Sequence, residues 1–263
     1  MDKKQPIGVM DSGIGGLTVV RELQRLLPGE DIIYFGDSAN CPYGNKTGDQ
    51  IFDLSCHMLE FLGSRQVKCV AIACNTISTM VDRLRPRFDF RIVSIVEEAA
   101  KYVVDEKLPA VGLIGTEFTV ASGKYDELIH QGNPACHVVG KGSPLLAALV
   151  DRGDFNQEEI DREIRTQVDV ILSREQVGHL ILGCTHYPIV EENFRRCYPQ
   201  LQLINPALEQ AKAVKEYLAS QNALNDQARG SFTVCTSGDP QVYVNVGKRL
   251  SLFEPSECAT IHI

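Results

Sequence analysis

Cys74 and Cys184 each close a short apolar run and are each followed at once by small polar, turn-forming residues, in VAIACNT (70–76) and LILGCTH (180–186). A β-branched and aliphatic run that stops at such residues is how a buried parallel strand delivers a reactive side chain to its carboxyl end. Two thiols delivered to opposite sides of one substrate can take a proton from one face and return one to the other. Each motif also combines a potential nucleophile or base with hydroxyl and amide donors at the expected amino end of a helix, where the helix dipole favours thiolate. His186 stands beside Cys184.

Elements able to position these thiols run the length of the chain. Strand-like runs fall at residues 7–10, 32–35, 67–73, 92–96, 111–114, 136–139, 179–182, 201–204 and 232–235. Segments of helical spacing lie between them, such as Leu17, Val20, Leu23, Leu26 and Leu27, or Leu54, Met58, Leu59, Phe61 and Leu62. Strict alternation predicts an α/β fold of parallel sheets covered by helices, with ligands received at the carboxyl ends of the strands. The halves echo one another. IGVMDSGIGGLTV from Ile7 has a counterpart in VGLIGTEFTV from Val111, and the two cysteine motifs follow at a similar spacing. Two related α/β domains facing each other are expected, residues 1–97 with 207–263 and residues 98–206, with crossovers near Glu97 and Pro206.

Composition restricts the function classes. At 44% hydrophobic content the 263 residues can build ordinary cores. No apolar stretch approaches a membrane span and MDKKQPIGVM lacks a secretory apolar region, so a soluble, cytoplasmic protein is expected. The net charge of -8 and the lack of a Lys/Arg cluster argue against nonspecific nucleic-acid binding. Nine cysteines without CxxC pairs argue against a disulfide framework. Cys56, Cys69, Cys136 and Cys197 are expected as packing residues.

Two loops stand out beside the cysteine motifs. DSGIGG (11–16) follows the first strand and opens a helix, with backbone N–H groups able to cradle an anion and Asp11 or Ser12 able to cap the helix. It carries neither the dinucleotide fingerprint nor the P-loop lysine. Asp11 could orient or deprotonate a neighbouring group. CPYGNKT (41–47) reads as a rigid loop presenting the hydroxyl and ring of Tyr43. A zinc site from Cys74, Cys184, His186 and an acid lacks the usual close ligand pairs, so no metal is expected. A thiol protease would need one cysteine with a remote histidine, and a redox pair would need a disulfide that nothing in the spacing requires.

The motifs DSGIGGLTV, YFGD, CPYG, IACNT, GTEFTVASGKY, LGCTHYP and TSGDP, in this order and over almost the whole chain, resemble the glutamate racemases of the cofactor-independent aspartate/glutamate racemase superfamily. The resemblance implies two similar α/β domains with a site buried between them. It also implies inversion of glutamate at Cα without pyridoxal phosphate, other cofactor or metal, supplying D-glutamate for bacterial peptidoglycan. By motif position, Cys74 would act on the D-glutamate side with Asp11, and Cys184 on the L side with His186. Ser12, Pro42, Tyr43, Gly44, Asn75, Thr76, Thr119 and Thr185, with Asp11 and His186, would hold the substrate. A homodimer is implied as well.

The chain departs from that pattern in three places. SIVEEAA (94–100) lacks a Pro-Gly at the crossover, INPA (204–207) replaces a usual VDSG, and GSPLLAALVD (142–151) has Ser143 in place of a Cys and Asp151 in place of a Glu. One methylene shorter, Asp151 puts its reach to the His186 side, and with it a catalytic role, in doubt. Aspartate racemisation, or amino-acid binding without turnover, are the rival readings. One methylene of substrate length separates the first rival by only about 1–3 kcal/mol.

Overall fold

The computed structural model describes residues 2–153 and 155–261. From the amino end, β1 (Ile7–Asp11), α1 (Leu17–Leu26), β2 (Ile32–Gly36), α2 (Gly48–Ser64), β3 (Cys69–Ile72), the one-turn helices α3 (Asn75–Ser78) and α4 (Val81–Leu84), and β4 (Arg91–Ser94) lead into α5 (Ile95–Asp105). Then follow β5 (Ala110–Gly115), α6 (Glu117–Ala121), α7 (Lys124–Gly132), β6 (His137–Gly142), α8 (Leu146–Asp151), α9 (Gln157–Arg174), β7 (His179–Gly183), α10 (Glu191–Cys197), β8 (Gln202–Ile204) and α11 (Pro206–Ser220). The chain ends with β9 (Phe232–Thr236), α12 (Pro240–Arg249) and β10 (Glu257–Thr260).

Two sheets result, in the orders β10-β9-β2-β1-β3-β4 and β6-β5-β7-β8. Every strand pairing among the described residues is parallel. The central strands are buried on both faces, as their near-continuous apolar sequences require. The expected internal echo has a structural counterpart. β1 lies beside β3 in one sheet as β5 lies beside β7 in the other.

Local sequence explains the flanking helices. In α1, Leu17, Val20 and Leu23 are buried while Arg25 stays out, the stripe that a 3.6-residue period produces. α2 begins on a capping box, with Thr47 accepting from the Gln50 N–H and Gln50 accepting from the Thr47 N–H, a device worth about 1 kcal/mol. The crossovers α5 and α11 pack on each other and on α1 and α7, and their apolar faces belong to a core cluster that includes residues from both sheets. Two further clusters fill the outer faces, one under α2 and one under α9 and α10.

Two expectations about elements are corrected and one strand is added. The strand expected over 92–96 stops at Ser94, whose hydroxyl accepts the Glu97 N–H and starts α5, so Ile95 and Val96 are helical. β6 begins one residue after Cys136 and runs on to Gly142, in register with β5. β10 went unrecognised in the sequence because an exposed edge strand reading ECAT carries no apolar alternation.

Candidate active site

In each sheet, connections leave in opposite directions from between two central strands, and a crevice opens there at the carboxyl ends. β1 and β3 flank that point in the first sheet. β1 ends on Asp11, and the chain leaving β3 reaches Cys74. β5 and β7 flank it in the second, delivering Thr116 and Cys184. Both crevices open into one cavity of ≈ 430 Å³ lined by Cys74 and Cys184 together. Ser12, Pro42, Tyr43, Gly44, Asn75, Thr76, Thr185 and His186 also line it. Asp11 and Thr119 lie just behind its wall, fully buried or nearly so.

On the first side, Cys74 precedes α3, and its sulfur sits 3.5 Å from Ser12 Oγ. The expectation that a helix start would favour thiolate here is outweighed. Burial, joined by the negative charge of Asp11, pushes the Cys74 thiol up to about 12, although the Ser12 hydroxyl and the Ile77 N–H pull the other way. Asp11 does not cap α1, whose start at Gly16 has no side-chain cap. Instead its carboxylate accepts the Gly13 N–H at 2.9 Å and, across the cleft, the Thr185 hydroxyl at 3.0 Å. Burial raises Asp11 from 3.8 to about 6, with His186 and these hydrogen bonds opposing. At Gly15 the glycine loop is also a packing surface. A Cβ on Gly15 would run into the Thr185 hydroxyl and lie 2.7 Å from His186 Nδ1.

On the second side, Cys184 Sγ lies 3.6 Å from His186 Nδ1, and His186 Nε2 meets Asp151 Oδ1 at 2.8 Å. The doubt over Asp151 is thus corrected. It is the last residue of α8, and the helix brings its carboxylate close enough that the missing methylene is not needed. Burial works against a charged His186, yet the Asp151 carboxylate, with Cys184, raises its pKa well above 6.5. After Cys184 the chain forms a 3-10 turn, Tyr187–Val190, ahead of α10, so no α-helix start adjoins this thiol.

Hydrogen-bonding groups ring the space between the sulfurs. Asn75 Oδ1 accepts from the Tyr125 hydroxyl at 2.7 Å, whereas Asn75 Nδ2, buried at the cavity, has no hydrogen-bond partner among the described residues. Such an orphan donor is costly unless a ligand takes it up. Thr76, Thr116 and Thr119 hydroxyls form a triangle with sides of 3.1, 3.3 and 2.9 Å that joins α3 to the start of α6. Tyr43 donates to Asp37 Oδ2 at 2.6 Å, fixing its ring against the cavity.

A family model described as Asp/Glu/hydantoin racemase matches residues 7–214. The chain belongs to that family. It is 33% identical to the glutamate racemase of Limosilactobacillus reuteri (strain DSM 20016), over 100% of this chain and 98% of the relative. Its fold is similar to a Francisella tularensis glutamate racemase crystallised with D-glutamate (TM-score 0.91, 30% identity, 99% of this chain and 98% of that one). It is also similar to a Thermus thermophilus glutamate racemase crystallised with β-chloro-D-alanine (TM-score 0.88, 33% identity, 100% and 99%). These full-length matches establish the α/β architecture of two helix-flanked parallel sheets for this racemase-family chain.

Sequence reasoning passed over Thr116, Cys41 and Asp37, of which the first two line the cavity and the third anchors Tyr43. The internal echo held a signal for Thr116, because aligning VGLIGT on IGVMDS sets it opposite Ser12. Among the described residues no group of three or more His, Cys, Asp and Glu converges as a metal ion would require.

Proposed function

We propose that this racemase-family chain interconverts L- and D-glutamate by two-base proton transfer at Cα, with Cys184 serving the L face and Cys74 the D face. One observation carries the reading: two buried thiols, delivered by equivalent strands of two sheets, line a single cavity with different proton-handling partners. From L-glutamate, the Cys184 thiolate removes the α-proton. The Cys74 thiol, which burial holds in its protonated form near neutrality, delivers a proton to the opposite face. Cys184 leaves as thiol and Cys74 as thiolate, and the substrate ammonium supplies the positive charge that the Cys74 side lacks. The reverse reaction exchanges these roles. Asp11 acts beside Cys74, and the His186 imidazolium faces Cys184. Asn75 Nδ2 and the hydroxyls of Ser12 and Thr76 hold the substrate carboxylates, Thr119 braces Thr76 from behind the wall, and Thr185, whose hydroxyl donates to Asp11, offers its oxygen to the ammonium, with Pro42, Tyr43 and Gly44 closing the wall. Donors fixed in place before the reaction stabilise the carbanion without reorganisation.

Residues 1–97 with 207–263, and residues 98–206, form the two domains of this proposal, and closure about α5 and α11 excludes water. The product feeds peptidoglycan synthesis in the cytoplasm, and the chain works as a homodimer. A chiral-product assay with glutamate and aspartate in deuterated water tests the reading. Glutamate inversion with solvent deuterium at Cα is expected, and Cys74→Ser or Cys184→Ser should each reduce turnover by at least about 10³-fold. Full turnover in either variant, aspartate inversion in place of glutamate, or complete retention of the original α-hydrogen would overturn it.

A further inference from the structure

Glu163 is a carboxylate that the proposed reaction does not use. It lies on the buried face of α9, among Ile160, Ile164 and Val168 of the second sheet's core. A carboxylate in such surroundings must be paired with donors. Its Oε1 accepts from the Ser143 hydroxyl at 2.7 Å and from Gln167 Nε2 at 2.9 Å. Ser143 Oγ in turn accepts the N–H of Leu145 at 3.3 Å and of Leu146, the first residue of α8, at 2.9 Å. The Ser143 N–H donates to the Gly115 carbonyl at 2.8 Å, at the end of β5, and that carbonyl also takes the Tyr187 hydroxyl at 3.2 Å. Ser143 is therefore held by β5, α9 and α8 together. α8 is only six residues long, so fixing its first residue fixes its last, Asp151, against His186.

We infer that Ser143 and Glu163 are positioning residues that set α8 so that a short carboxylate at position 151 reaches His186. The inference rests on the proposed role of Cys184 and deepens it. The serine and the aspartate act as a pair: the hydroxyl ties down the start of the helix, and the helix carries the acid to its partner. Removing the hydroxyl frees α8 to shift, and a longer acid at position 151 would span the slack.

The test uses the full chain with Ser143→Ala, alone and combined with Asp151→Glu. It reads kcat and KM in both directions and the protonation midpoint of His186 by NMR of histidine-labelled protein. The titratable groups facing His186 are Asp151, Cys184, Asp11 and Cys41. Of these Asp151 is the one that α8 moves. Ser143→Ala is expected to lower kcat about 10- to 100-fold with KM within about threefold, since a displacement near 1 Å costs that much. It should also lower the His186 midpoint, and Asp151→Glu in the same background should restore most of both. Unchanged kcat and midpoint, or a loss of kcat with no midpoint change and no rescue, would overturn the inference. If Ser143→Ala shows no cooperative melt, Glu163→Leu, which removes the acceptor of the Ser143 hydroxyl, carries the same readouts with the same expected signs. The midpoint needs no turnover, so a chain that failed to invert glutamate would sink the proposed function while the NMR arm still decided this one.

Discussion

Asp11→Asn should stabilise the folded chain above pH 6 while impairing racemisation. Asp11 is fully buried at the end of a central strand, and burial raises its pKa from 3.8 to about 6 against the pull of His186 and its hydrogen bonds. Between those values the folded chain binds the proton more tightly than the unfolded chain, so stability falls as pH rises through this window. Above pH 6 the wild type carries the full penalty of the ionised carboxylate, roughly 3 kcal/mol for a shift of this size. An asparagine keeps an acceptor for either the Gly13 N–H or the Thr185 hydroxyl and gives up the other bond, about 1 kcal/mol at every pH. The variant should therefore trail the wild type by about 0.5 kcal/mol at pH 4, where the unfolded carboxyl is already half ionised, and lead it by about 2 kcal/mol at pH 7. Urea unfolding at pH 4, 5, 6 and 7, followed by ellipticity and tyrosine fluorescence together, measures the swing. A variant that trails by the same amount at both ends of the range would refute the burial argument.

Gly15→Ala should cut kcat/KM by at least about tenfold without removing any functional group, because its Cβ would displace the Thr185 hydroxyl and the His186 ring. Gly13→Ala, whose Cβ would meet Cys41 Sγ at 3.3 Å, is the control and should retain most activity. Asp151→Asn should lower the His186 pKa and move the alkaline limb of kcat/KM to lower pH, as rate profiles in both directions would register. The raised pKa of His186 stabilises the fold fully below about pH 6.5 and loses that contribution as pH rises through the folded value. The same variant should accordingly weaken the protein near neutrality, read as a lower Tm, and an unshifted alkaline limb would count against the Asp151–His186 pairing.

What could be read from the chain followed the strength of the local signal. Runs such as CVAI and HLILG announce strands buried on both faces, and the polar residues after them mark carboxyl ends, so both thiols and most cavity residues were visible in one dimension. Asp151 was misjudged because side-chain length alone does not report where a helix ends in space, and α8 brings that carboxylate to 2.8 Å from His186. Asp37 was passed over because its partners Tyr43 and Ser237 come from separate loops, and the long-range bond to Ser237 has no sequence spacing to betray it. Of the glycines of DSGIGG, Gly15 is required by Thr185 and His186 in the other half of the chain, and Gly16 by Asp11 and Tyr34 close by, contacts that no local pattern announces.

The two halves are alike in backbone and unlike in charge, and that difference suits a reversible inversion. The repeated strand pairs deliver Cys74 and Cys184 to equivalent places, where a symmetric site would give both sulfurs the same protonation tendency. Burial, and after it the negative charge of Asp11, holds the proton on Cys74, while His186, whose pKa the Asp151 carboxylate raises against its burial, places positive charge beside Cys184. The two sulfurs thus sit in opposite electrostatic surroundings before any substrate arrives, a carboxylate beside one and an imidazole paired with a carboxylate beside the other. Thr185 links the two environments by donating to Asp11 from the residue between Cys184 and His186. A change in the charge of Asp11 is thus felt at Thr185, one residue away from both Cys184 and His186 on the opposite side.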